Sequence, residues 1–123
     1  MTSRPLITVV DDDESVRESL PDLLAEFGFA ASAFASADEL LASDSLQQTR
    51  CLILDIAMPG MSGPELHQEL LRRGHTIPVV FITAQADESM RATLVERGAI
   101  ACLSKPFSER ALQAALNTAL GGP

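Results

Sequence analysis

Five short apolar runs, at residues 6–10, 30–34, 51–54, 78–82 and 100–103, constrain the fold of this chain more than any other feature. Their starts lie 24, 21, 27 and 22 residues apart, which leaves room each time for one helix and two short loops. Strand, helix and strand in steady alternation is the pattern of a parallel sheet covered by helices on both faces, because parallel neighbours need a long crossover. With 123 residues the chain is the size of one domain, expected to bury roughly two-thirds of the surface its unfolded form exposes. Right-handed crossovers and helices on both faces make 2-1-3-4-5 the economical strand order. The predicted class is therefore α/β, a single doubly wound (βα)5 domain of flavodoxin-like architecture with a five-stranded parallel sheet.

The segments between the runs support this. Val16, Leu20, Leu23, Leu24 and Phe27 fall on one stripe of a first helix, and Gly28 follows where a left-handed residue can end it. Ser36 with Glu39, and Ser62 with Glu65, have the three-residue spacing of a capping box at the starts of helices two and three. Leu112, Ala115, Leu116, Ala119 and Leu120 form the stripe of a fifth helix. The fourth, over residues 86–97, has only Met90, Leu94 and Val95 to anchor it and is expected to move more easily than its neighbours. Residues 1–120 read as one domain, and residues 121–123, Gly-Gly-Pro, have the composition of a linker's beginning.

A net charge of −8 makes the surface repel phosphate backbones, so direct nucleic-acid contact by this segment is disfavoured. No apolar run reaches the roughly 18 residues of a membrane span, and residues 1–5 lack the apolar centre of a secretion signal. The expectation is a cytoplasmic domain that does not engage a membrane. Cys51 and Cys102 stand in separate apolar runs with neither CxxC spacing nor a nearby His pair, and both read as buried thiols.

Chemistry gathers after the runs. The first leads into Asp11, Asp12 and Asp13; the third ends at Asp55; Thr83 follows the fourth and Lys105 the fifth. In a parallel sheet these carboxyl ends share one edge, where open α/β folds bind ligands beside the point at which strand order reverses. Taken singly, the acids could cap a helix and Lys105 could be a solvated charge. In concert they suggest more. Carboxylates about 4 Å apart repel by roughly 1 kcal/mol per pair in water and about 4 kcal/mol at an effective dielectric of 20. A hard divalent cation, Mg²⁺ with Mn²⁺ as the alternative, would offset that repulsion. A carboxylate nucleophile beside a cation, a lysine and a hydroxyl is a set suited to phosphoryl transfer.

Four blocks then carry a resemblance: Val10-Asp11-Asp12-Asp13, Asp55-Ile56-Ala57-Met58-Pro59-Gly60-Met61-Ser62-Gly63, Pro78-Val79-Val80-Phe81-Ile82-Thr83-Ala84 and Lys105-Pro106-Phe107. In this order the chain resembles the receiver domain of two-component response regulators along almost its whole length, and looks most like FixJ-like transcriptional regulators. The resemblance implies that Asp55 accepts phosphate from a histidine kinase, that Asp11, Asp12, Asp55 and the main-chain carbonyl of Ala57 hold Mg²⁺, and that Lys105 contacts the phosphoryl group. It implies that Thr83 turns towards that group and alters the face made by helix four, strand five and helix five, that Lys105–Pro106 is cis, and that Ala57 and Gln85 tune phosphate lifetime. It also implies homodimers on phosphorylation and promoter DNA bound through a C-terminal output domain outside this segment. A freestanding receiver or an unphosphorylated interaction scaffold is the alternative.

One position departs from the family's pattern. Relatives usually carry Phe or Tyr three residues before the lysine, where this chain has Cys102. A thiol cannot swing a ring, so a weaker or differently built coupling is expected there. Two rival functions fare worse. Phosphatases of the haloacid dehalogenase type place an aspartate two residues after their nucleophile as general acid, and Ala57 cannot donate that proton, so turnover of an external ester is not expected. A flavin phosphate would meet three aspartates in the first loop where its donors should be.

Overall fold

The computed structural model describes residues 4–85 and 87–121. Strands β1 (Leu6–Val10), β2 (Ala30–Phe34), β3 (Thr49–Asp55), β4 (Val79–Thr83) and β5 (Ala101–Ser104) alternate with helices α1 (Glu14–Glu26), α2 (Ala37–Leu41), α3 (Gly63–Arg72), α4 (Glu88–Glu96) and α5 (Glu109–Ala119). All strand pairs are parallel, in the order β2-β1-β3-β4-β5. This matches the predicted class and strand order.

Alternation along each strand divides the core into two layers. Val10, Leu52, Leu54 and Phe81 face Leu40, Leu66, Leu70 and Leu94 of α2, α3 and α4. Ile7, Val9, Ile53, Val80 and Ile82 face Leu20 and Leu24 of α1 and Leu112 and Leu116 of α5. Both layers are needed because the central strands are buried on both sides; β4 is buried at every position. Cys51 joins the α1/α5 layer and Cys102 the opposite one, both as free, buried thiols.

Local signals set the helix ends. Asp13, Ser36, Ser62, Asp87 and Ser108 each accept an N–H of the first turn of their helix. At α3 the box is reciprocal, the Glu65 carboxylate accepting from Ser62 N–H at 2.9 Å. At α2 it is not: Glu39 reaches back to the Ala35 N–H at 3.3 Å, and the helix lasts five residues. α1 passes through Pro21 unbroken and ends at Glu26, capped by Phe27, with Gly28 at φ +94°.

Two expectations need correction. β3 begins at Thr49, two residues before the apolar run, because the Thr49 hydroxyl is paired internally, with Thr8 Oγ1 at 2.7 Å and the Ser45 carbonyl at 2.7 Å. The fourth helix begins at Glu88, capped by Asp87, and Ala86 lies outside the described residues. Val95 does not anchor it: Val95 is 47% exposed, while Leu94 is buried one turn beyond half-buried Met90. Leu94 is thus the one buried side chain of α4, with half-buried Met90 packed beside it. Gly122 and Pro123 of the tail also lie outside the described residues.

Candidate functional site

The site is built where strand order reverses. β1 and β3 are neighbours, with Val10 opposite Leu54, so the next residues, Asp11 and Asp55, emerge side by side. Asp11 is fully buried and Asp55 nearly so, whereas Asp12 is exposed. Carboxylate oxygens of Asp11, Asp12 and Asp55 all lie within 4.8 Å of one another. Asp13 is turned away to cap α1, its Oδ1 accepting from Ser15 N–H at 2.9 Å and Ser15 Oγ at 2.8 Å, and these bonds hold its carboxyl below the ordinary value.

Lys105, just after β5, completes the cluster. Its ammonium lies 2.8 Å from Asp11 Oδ2 and 3.6 Å from Asp55 Oδ1. Burial penalises that ammonium, but Asp11 and then Asp55 outweigh the penalty, so Lys105 stays above its usual value and is charged. Asp55 is pushed the other way. Burial first, then the Asp11 charge, raise its carboxyl to about 7 against the opposing pull of Lys105.

A cleft of about 330 Å³ opens over Asp55, lined also by Ala57, Thr83, Gln85, Met90 and Lys105. Thr83 ends β4, and its hydroxyl accepts from the Gln85 N–H at 3.3 Å, tying down the loop that leads into α4. Grooves of similar volume, about 320 Å³ beside Glu69 and Arg97 and about 380 Å³ beside Arg4 and Arg50, have no such trio of acids among the described residues. Chemistry, not volume, singles out the cleft at Asp55.

The donor set fits a hard divalent cation. The ligand atoms are carboxylate oxygens without thiolate or imidazole, and Asp11 Oδ2 is buried with no aligned hydrogen bond, only the ion pair to Lys105. His67 takes no part: it is buried in α3 edge-on to Phe81, ring centroids 5.8 Å apart, and burial lowers its pKa so that it is neutral at pH 7.

Residues 7–117 match the family described as the response regulator receiver domain. The chain belongs to that family. The receiver domain is 40% identical over 111 residues to nodulation protein W of Bradyrhizobium diazoefficiens, covering 90% of this chain and 49% of that protein. It is 37% identical to the transcriptional regulatory protein FixJ of Azorhizobium caulinodans, covering 94% of this chain and 54% of that one. Among solved structures, a response regulator receiver protein from Burkholderia phymatum superposes with a TM-score of 0.82 at 38% identity, over 98% of both chains. The receiver domain thus spans about half the length of the curated relatives it matches. Receiver domains bind Mg²⁺ at an acidic pocket, in keeping with the aspartate cluster.

Cys102 lies away from the cleft. Its side chain is buried in the layer beneath α4, next to Phe81 in register, and burial raises the thiol pKa, which keeps it protonated. Its carbonyl oxygen accepts from Arg91 Nε of α4 at 3.0 Å, while Arg91 Nη2 reaches Ser104 Oγ at 3.3 Å. Three residues of the site's surroundings escape a sequence reading. Arg17 donates from Nη1 to the Asp11 carbonyl at 3.0 Å, Arg91 ties α4 to β5, and Gly63 lies against the Asp55 backbone. Gly63 alone had a signal, being the last residue of the second block. A lone arginine on a polar helix face has none.

Proposed function

We propose that Asp55 is the phosphoacceptor of a two-component signalling switch. The observation that carries this reading is the convergence of Asp11, Asp12 and Asp55 with Lys105 beside an open cleft at the reversal of strand order. An Asp55 carboxylate oxygen attacks the phosphorus of a phosphohistidine on a histidine kinase. The O–P bond forms, the P–N bond breaks, and its electron pair goes to the imidazole nitrogen, which takes up a proton. Asp11, Asp12, Asp55 and the Ala57 carbonyl would hold Mg²⁺, which would supply positive charge favouring ionised Asp55 and offsetting charge on the phosphoryl oxygens. Lys105, which lines the same cleft and pairs with Asp11 and Asp55, adds a second positive charge. Thr83 then offers its hydroxyl to the phosphoryl group, giving up the Gln85 N–H and releasing the loop before α4. α4, with Leu94 as its one buried anchor, is the element most easily shifted, and with β5 and α5 forms the output face.

Ala57 offers no general acid, so the reading is a phosphorylated switch that loses its own phosphate slowly, not an enzyme turning over external esters. Half-length matches to regulators such as FixJ support an output on DNA through a further domain; dimerisation on phosphorylation is part of the proposal. End-to-end coverage of a receiver protein supports a freestanding receiver as the second reading.

Intact mass after incubation with acetyl phosphate and Mg²⁺ tests the chemistry. One phosphoryl addition is expected, lost with chelator and absent from Asp55→Asn. No addition under any condition, with fluoroberyllate leaving the domain unperturbed, would turn the reading to an unphosphorylated scaffold.

A further inference from the structure

Asp11 is held at each of its polar atoms. Its N–H donates to the Phe34 carbonyl at 3.1 Å, Oδ1 accepts from the Asp13 N–H at 2.9 Å, and Oδ2 pairs with Lys105 at 2.8 Å. Its main-chain carbonyl accepts from Arg17 Nη1 at 3.0 Å. That last bond has a structural cause. In the first turn of α1 the N–H of Ser15 goes to the Asp13 side chain, and those of Val16 and Arg17 go to the Asp13 carbonyl. The Asp11 carbonyl, just outside the helix, is left to a side chain, and Arg17 reaches back from α1 to supply it.

We propose that Arg17 is a positioning residue for the cation site. The carbonyl it grips belongs to the peptide joining Asp11 to Asp12, the two acids that with Asp55 bring their oxygens within 4.8 Å. Asp12 is exposed, so its direction depends on the backbone that carries it. A guanidinium donor is stronger than a neutral one and holds a fixed fork geometry, which makes this peptide's orientation stiff. Groups that orient ligands without touching the metal commonly change affinity by about 10–100-fold when lost. This inference rests on the cation reading of the acidic cluster.

The test is Mg²⁺ binding by isothermal titration calorimetry on the wild type, Arg17→Met, Arg17→Gln and Arg97→Met, with melting in chelator measured alongside. Arg97 is exposed at the end of α4, so its replacement removes the same charge far along the chain from Asp11. Arg17→Met should weaken Mg²⁺ roughly tenfold. Arg17→Gln, which keeps an N–H donor without the charge, should recover part of the loss, and Arg97→Met should stay within about twofold because exposed charges are screened. Phosphorylation of Arg17→Met by acetyl phosphate should be slow at low Mg²⁺ and return to the wild-type rate at saturating Mg²⁺. Because Mg²⁺ also stabilises the folded state, the split counts only for a variant whose melting in chelator lies well above the assay temperature. Should Arg17→Met not fold, Arg17→Gln takes its place, expected to bind Mg²⁺ a few-fold more weakly than the wild type. Wild-type affinity in the folded Arg17 variants, or an equal loss in Arg97→Met, overturns the role of Arg17. Absence of Mg²⁺ binding by the wild type would instead remove the cation reading itself.

Discussion

Replacing Gly63 by alanine should damage Asp55 from eight residues away. Gly63 opens α3, its N–H donating to the Ile56 carbonyl at 3.0 Å. A Cβ there would lie 2.2 Å from the Asp55 carbonyl oxygen, 3.0 Å from its carbonyl carbon and 3.2 Å from Ile56 Cα. These neighbours are backbone and cannot rotate aside. A carbon–oxygen contact settles near 3.3 Å, so loop and strand must part by about 1 Å at the proposed phosphoacceptor. Overpacking of this kind costs about 1–3 kcal/mol, and misplacing a reacting group by about 1 Å slows a reaction on the order of a hundredfold. Urea denaturation should report the first loss, and the rate of acetyl phosphate-driven mass gain at saturating Mg²⁺ the second. Gly60→Ala is the control. Its φ of +77° makes alanine strained, by about 1–2 kcal/mol, but no atom lies within 4 Å of the new Cβ. It should lose stability and keep its rate within a few-fold. A Gly63→Ala protein as stable and as fast as the wild type would refute the reasoning, as would an equal rate loss in Gly60→Ala.

Three more outcomes follow from the geometry. Burial and Asp11 raise Asp55 from 3.8 to about 7, so the metal-free native state keeps a proton that the unfolded chain releases. Stability from this group therefore falls as pH rises from 3.8 to about 7 and levels off above, and Asp55→Asn should be the more stable at pH 7 by more than about 1 kcal/mol in chelator; parallel pH profiles for the two would sink the assignment. Arg91→Ala removes the tie between α4 and the Cys102 carbonyl, and α4 amides should exchange several-fold faster, corresponding to about 1 kcal/mol for a half-exposed charged donor; unchanged exchange would show that the tie contributes nothing. Cys102→Phe must fit a ring into a packed layer, at a cost of about 1–3 kcal/mol, and should strengthen dimerisation under fluoroberyllate; equal responses from both proteins would show that the missing ring does not weaken coupling.

Much of this receiver domain could be read before any coordinate. Run spacing and length lead to the α/β class, and strand order follows from the handedness of crossovers, because these depend on chain reach and periodicity alone. The gathering of Asp11, Asp55, Thr83 and Lys105 at one edge follows too, since residues after parallel strands share that edge whatever the packing details. Helix caps at Ser62 and Ser36 were visible as local spacings, though the reciprocal half at Ser36 went to Ala35 instead. Beyond that, packing decided. Val95 carries the same apolar character in the sequence as Leu94, and only the docking of α4 determines which of them is buried. Gly63 approaches Asp55, Arg17 reaches Asp11 and Arg91 reaches β5 through contacts between separate elements, which no periodicity encodes. The raised pKa of Asp55 likewise needs water excluded and a second carboxylate held nearby. Local geometry is written into the order of the residues, whereas proximity across elements and the loss of solvent exist only once the layers have closed.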